Sequence, residues 1–123
     1  MTISTILVID DSPTDRHILS RMLTKSGYQV GTAESGEEAM TKIRQHLPDL
    51  ILMDVVMPGI NGFQATRMLA RDDETRRIPI ILCTSKNQET DKIWGLRQGA
   101  RAYITKPVKI EDLLQKINSL DFA

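Results

Sequence analysis

Asp10, Asp11, Asp54, Thr84 and Lys106 are the residues of this chain best suited to handle phosphate or a metal ion, and each stands at the end of an apolar run. Thr5-Ile6-Leu7-Val8-Ile9 ends in Asp10-Asp11, and Leu50-Ile51-Leu52-Met53 ends in Asp54. Ile80-Ile81-Leu82-Cys83 ends in Thr84, and Ala102-Tyr103-Ile104-Thr105 ends in Lys106-Pro107. Two carboxylates about 5 Å apart repel by roughly 3 kcal/mol at an effective dielectric of about 20, so gathering three requires a cation or a proton. Mg²⁺ suits such a set, because it takes hard oxygen ligands and keeps several waters that phosphate oxygens can replace. A carboxylate beside it can act as a nucleophile and form an acyl phosphate. Asp54, alone at the end of a fully apolar run, is the candidate acceptor, with Mg²⁺ held by Asp10 and Asp11. Lys106 would pair as a point charge with a phosphate oxygen, and the Thr84 hydroxyl would hydrogen-bond the new phosphate. Taken singly, each residue has a plainer use: a turn and helix cap, a loop start, a surface lysine, a strand-end threonine. Their recurrence at four strand ends favours the chemical reading.

Such residues meet only if the runs are parallel strands of one open sheet, where the functional crevice lies beyond the carboxyl ends. The pattern supports this, alternating short β-like runs with amphipathic helical stretches. Ser12 is placed as an N-cap with Pro13 at the first helical position, before Ile18, Leu19, Met22 and Leu23 at helical spacing and a stop at Gly27. Tyr28 to Ala33 reads as a weaker strand, and Ser35-Gly36-Glu37-Glu38 as a capping box before Ala39, Met40 and Ile43. After Asp54 comes a turn-rich loop, Met57-Pro58-Gly59-Ile60-Asn61-Gly62, then a helix carrying Phe63, Thr66, Arg67 and Leu69. Pro79 introduces the fourth strand. A helix over about 89–98 closes at Gly99, a fifth strand covers about 101–104, and a last helix over about 110–120 places Leu113, Leu114 and Ile117 on one face. Five β–α units in series predict an α/β fold with a parallel sheet covered by helices on both sides.

The bulk numbers bound the rest. A chain of 123 residues fits one domain with a real core, and the five units leave no residues for a second. Sixteen basic and sixteen acidic residues give a formal net charge of 0, which argues against non-specific nucleic-acid binding and against an anionic membrane surface. The lone cysteine, Cys83, excludes an intramolecular disulfide and reads as a packed thiol. No basic leader and no run near the roughly 18 apolar residues of a membrane span are present, so the expected address is the cytoplasm.

With these motifs the chain resembles a CheY-like response-regulator receiver domain of two-component signalling. The resemblance is carried by Ile9-Asp10-Asp11-Ser12, by Leu52-Met53-Asp54-Val55-Val56-Met57-Pro58-Gly59-Ile60-Asn61-Gly62, by Cys83-Thr84-Ser85, and by the run from Gly99 to Pro107. It covers essentially the whole chain. It implies a flavodoxin-like (βα)5 fold with sheet order 2-1-3-4-5. It also implies that Asp54 accepts phosphate from a sensor histidine kinase of the CheA-like kind, and that Asp10, Asp11, Asp54 and the backbone carbonyl of Val56 bind Mg²⁺. Thr84 and Tyr103 match the family's switch residues, which move when the acyl phosphate forms. The surface of the fourth helix, fifth strand and fifth helix then turns a different face to an effector protein. The Lys106-Pro107 peptide is expected cis by the same resemblance. Residues 62–67 and 88–100 look most similar to single-domain regulators of type IV pilus twitching motility and phototaxis.

Two positions depart from the best-known chemotaxis members: Val56 is apolar where they are polar, and Lys86 is basic where they are acidic. Both flank the path of the water that hydrolyses an acyl phosphate. Within the segment 88–100, Ile93 is expected in the core and Trp94 at the edge of the output face. Competing readings are a phosphate sink that drains a shared kinase, and a Mg²⁺-dependent aspartyl phosphatase. The latter usually wants a second acid two residues after the nucleophile, where this chain has Val56. A flavin or nucleotide binder on the same fold is weaker, since Asp10-Asp11-Ser12-Pro13 offers no glycine-rich phosphate cradle.

Overall fold

Runs such as Leu50–Met53 and Ile80–Thr84 lack any polar alternation, and a strand of that kind is stable only where both sheet faces are covered. The computed structural model, which describes residues 2–121, shows that arrangement. In chain order the elements are β1 (Thr5–Ile9), α1 (Pro13–Lys25), β2 (Gln29–Ala33), α2 (Gly36–Gln45), β3 (Leu50–Met53), α3 (Gly62–Arg71), β4 (Ile80–Thr84), α4 (Glu89–Gln98), β5 (Ala102–Thr105) and α5 (Ile110–Asp121). All four strand pairings are parallel and the order is β2-β1-β3-β4-β5. This is the flavodoxin-like sheet order that the family resemblance implies.

Successive residues of each strand face opposite sides, so the sheet divides its apolar side chains between two cores. Ile6, Val8, Leu50, Leu52, Ile81, Cys83 and Ile104 pack with Leu19 and Leu23 of α1 and with Leu113 and Ile117 of α5. Leu7, Ile9, Ile51, Met53, Leu82 and Tyr103 pack with Ala39 and Ile43 of α2 and with Ala65 and Leu69 of α3. The apolar stripes are narrower than the sequence suggests, since Ile18 is exposed and Leu114 only half-buried.

Local signals act largely as read. The Ser12 side chain accepts the Asp15 N–H, and Pro13 opens α1. At α2 only the forward half of the expected capping box forms. Ser35 accepts the Glu38 N–H, but the Glu38 carboxylate turns along the helix to Lys42 at 2.9 Å. The complete capping box is at α3, where Asn61 and Gln64 exchange bonds at 2.9 Å each. Helix α4 is the main departure. Its inward contacts come from Gly95, whereas Ile93, Trp94 and Leu96 are 44%, 49% and 42% exposed. Ile93 is therefore not a core residue: the buried face of this short helix is narrow, and a glycine fills it because Leu82, Tyr103 and Phe63 already occupy the space beneath.

Gly62 shows how tightly the α3 N-terminus is pressed against the end of β3. A Cβ there would lie 2.2 Å from the carbonyl oxygen of Asp54 and 2.7 Å from Val55 Cα. Gly62→Ala must push this backbone away, and such overpacking costs about 1–3 kcal/mol. Urea unfolding is expected to show a loss of that size, with no change in the slope against denaturant.

Candidate functional site

The chain crosses from β1 to β2 on one side and from β3 to β4 on the other, so the loops after β1 and β3 diverge and leave a crevice between them. Backbone bonds carry the ladder one residue past the strands and so fix the first residue of each loop. Asp10 N–H donates to Ala33 O at 3.1 Å, Asp54 N–H to Ile9 O at 3.0 Å, and Lys106 N–H to Thr84 O at 2.8 Å. Of the residues expected to meet, the three acids and Lys106 are brought together. Asp10, Asp11 and Asp54 each offer an oxygen within 4.8 Å of the others. Asp10 and Asp54 are buried, while Asp11 faces solvent.

Lys106 reaches into this cluster from the end of β5. Its Nζ donates to Asp10 Oδ2 at 2.7 Å and to Asp54 Oδ2 at 3.1 Å. A third bond, to Asp15 Oδ2 at 2.7 Å, comes from a residue that sequence reasoning did not place in the site. The available signal was position: Asp15 is in the first turn of α1, three residues after the N-cap that follows Asp10-Asp11. The other carboxylate oxygens hold to backbone. Asp54 Oδ1 accepts N–H bonds from Val55 at 2.7 Å and Val56 at 3.2 Å, and Asp10 Oδ1 accepts from Ser12 at 3.0 Å. Arg16 steadies the loop by donating to the Asp10 carbonyl at 2.8 Å. The Lys106-Pro107 peptide is cis.

Electrostatics follow from burial. Desolvation pushes the Asp10 carboxyl above its usual range, against the pull of Lys106 and the Ser12 N–H. Burial alone would lower the Lys106 ammonium, but its hydrogen bonds to Asp10, Asp15 and Asp54 outweigh this and hold it above the ordinary lysine range. Lys106 thus pairs with three carboxylates, and Asp11 stands beside them. Even with Arg16 on the Asp10 carbonyl the four acids outnumber two cations, and that deficit of positive charge is a physical reason for a divalent cation. Three hard oxygens close together, one of them on exposed Asp11, fit Mg²⁺ with waters completing its shell.

Thr84, the last residue of β4, and Tyr103 of β5 are linked through one loop residue. The buried Thr84 Oγ1 accepts the Lys86 N–H at 3.3 Å, and the Tyr103 hydroxyl donates to the Lys86 carbonyl at 2.8 Å. The Tyr103 ring is buried, which raises its phenol to about 12, with Asp91 adding to the effect. Burial likewise pushes the Cys83 thiol up to about 12, so it is an inert packed thiol. Val56 is 57% exposed, and the Lys86 ammonium points to Asp91 at 3.7 Å. Among the described residues no helix is long and apolar enough to cross a membrane.

Comparison with known proteins gives the same picture. The sequence profile of the response regulator receiver domain matches residues 6–118. The chain is 57% identical to protein PilH of Pseudomonas aeruginosa over 115 residues, which is 94% of this chain and 95% of PilH. It is 41% identical to the response regulator PleD of Caulobacter vibrioides, again over 94% of this chain but only 25% of PleD. Among solved structures, the Vibrio cholerae chemotaxis protein CheY4 superposes with a TM-score of 0.89 at 30% identity, covering 97% of this chain and 99% of that one. The receiver domain of a histidine kinase from Syntrophus aciditrophicus superposes at 0.87 with 36% identity, covering 95% and 89%.

The raised Asp10 carboxyl has a definite consequence for stability. A folded-state pKa above the unfolded value favours the protonated form on folding, so its contribution is full below about 3.8 and is lost as pH rises through the folded value. At pH 7 the ionised side chain is therefore a net burden in the absence of a divalent cation. Asp10→Asn, which keeps an oxygen for the Ser12 N–H, is expected to be more stable than the parent at pH 7 in chelator. That gap should close below about pH 4. Urea unfolding of both proteins across this range checks the sign, and added Mg²⁺ should stabilise the parent more than the variant.

Proposed function

Because the chain belongs to the response regulator receiver domain family of two-component signalling, we propose that Asp54 is its phosphoacceptor and that the protein is a phosphorylation switch rather than an enzyme acting on a separate substrate. The single observation that carries this reading is the convergence of Asp10, Asp11, Asp54 and Lys106 on one crevice beyond the sheet. Asp54 is the proposed acceptor among the three acids because two backbone N–H groups fix its Oδ1 while its side chain is 10% exposed, where that of Asp10 is 1% exposed. In the transfer the carboxylate attacks phosphorus, a new P–O bond forms, and the leaving group departs with the electron pair of the bond it loses. Asp10, Asp11 and Asp54, with the Val56 carbonyl, would hold Mg²⁺, which when bound neutralises charge on the transferred group. Lys106, bonded to Asp54 Oδ2 at 3.1 Å, would donate to a phosphoryl oxygen on Asp54.

Thr84 and Tyr103 form the proposed switch. A phosphoryl group on Asp54 gives the Thr84 hydroxyl a new acceptor. Movement of Thr84 toward it would disturb the Lys86 segment, to which the Tyr103 hydroxyl is tied. The phosphate contact is the differential energy that such a population shift requires. The face of α4, β5 and α5 would then present a changed surface to an effector, and the exposed Ile93, Trp94 and Leu96 give α4 apolar area for such a contact.

The donor would be a CheA-like sensor histidine kinase in the cytoplasm. A groove of about 220 Å³ between α1 and the loop after β5, lined by Ile18, Leu19, Met22, Pro107 and Val108, borders Lys106 and offers a phosphodonor protein an apolar seat. The similarity to PilH and the resemblance of residues 62–67 and 88–100 to twitching-motility regulators support pilus-driven motility as the output. The chain would act as one receiver unit through protein contact, with neither nucleic acid nor membrane as partner. Incubation with acetyl phosphate, read by intact mass, tests the chemistry. The expected result is a gain of one phosphoryl group that requires Mg²⁺ and vanishes in Asp54→Asn. An equal gain in the variant would remove Asp54 as the acceptor.

A further inference from the structure

We propose that Asp15 is a positioning residue that holds Lys106 in reserve and competes with the incoming phosphoryl group for its ammonium. This rests on the reading of Asp54 as acceptor. An ammonium has three protons, and those of Lys106 match the three carboxylates at 2.7 Å (Asp10), 2.7 Å (Asp15) and 3.1 Å (Asp54). Transfer to Asp54 Oδ2 turns that acceptor into a bridging oxygen and frees one proton, so Lys106 can follow the phosphoryl group only as far as its bonds to Asp10 and Asp15 allow.

The three partners differ in how easily they let go. The Asp10 side chain is 1% exposed and that of Asp54 10%, so neither carboxylate can exchange the ammonium for bulk water without a large desolvation cost. The Asp15 side chain is 40% exposed and recovers hydration at once. It also lies outside the set of three acids close enough to share a metal ion. Asp15 is therefore the exchangeable partner. In the resting site it draws Lys106 toward α1, and on phosphorylation it must let the ammonium move toward the phosphoryl oxygens on Asp54. No bond to Asp15 itself is made or broken beyond this hydrogen bond, and the covalent balance of the transfer is unchanged.

Phosphorylation by acetyl phosphate in saturating Mg²⁺ should distinguish this role from a merely structural one. Wild-type protein, Asp15→Asn and Asp15→Ala are compared as rates against donor concentration, at low salt and at about 0.5 M salt, after thermal unfolding has shown each variant folded. Removing the competitor is expected to raise the phosphorylation rate constant about two- to fivefold, the range set by a partly exposed ion pair. The gain should persist at high salt, because a direct hydrogen bond is being relieved. A gain that disappears at high salt would overturn the proposal, since it would report only weaker repulsion of an anionic donor. An unchanged or slower rate in both variants would overturn it as well. Absence of phosphorylation in the wild type would instead overturn the acceptor reading, and this inference with it.

Discussion

The unfavourable proximity of carboxylates at the ends of β1 and β3 is the constraint from which the rest of the site follows. Asp10 and Asp54 are buried, and with Asp11 they offer oxygens within 4.8 Å of one another. In a low-dielectric crevice such a group is tolerated only when positive charge is fixed beside it. Lys106 supplies that charge from the far side of the sheet, and its position depends on β5 pairing with β4 and on the Lys106 N–H bond to Thr84. A single cation leaves the cluster still anionic. In the proposed function that residual charge would favour a divalent metal and, through it, a phosphoryl group.

The two-layered core is the device that holds these groups still. Each strand contributes alternate residues to the α1/α5 side and to the α2/α3 side, and neither side can be loosened without shifting the strand ends. Backbone bonds beyond the strands extend this rigidity into the loops, as for Asp54 N–H on Ile9 O. The close seat of Gly62 against the Asp54 carbonyl adds a second wall. Rigidity is concentrated where charge has to be placed.

Around Thr84 the proposed switch calls for movement instead. The loop after β4 is joined to the site by the Thr84 hydroxyl and to the surface by the Tyr103 hydroxyl, both through Lys86. Helix α4 beside it exposes most of its apolar residues and is seated by a glycine. Few buried side chains resist a change there, which is the property an output element needs. In the proposed mechanism, a charge event at Asp54 reaches a partner surface through this weakly anchored segment.

The sequence alone determined the order and type of the elements, because apolar runs of strand length alternate with helical spacing and are punctuated by Ser12-Pro13, Gly27, Pro79 and Gly99. It also placed Asp10, Asp11, Asp54, Thr84 and Lys106 at strand ends, and a parallel sheet gathers strand ends on one side. What lay beyond it were properties of distance and packing. Asp15 became a site residue only because the first turn of α1 comes to lie 2.7 Å from Lys106, and no spacing along the chain encodes that approach. Glu38 chose Lys42 over its capping partner, a competition decided by side-chain reach. Ile93 looked like a core residue by composition, yet the buried face of α4 was already filled by the rings and methyls beneath Gly95. Periodicity reports which residues can be inside, whereas the volume already occupied decides which of them are.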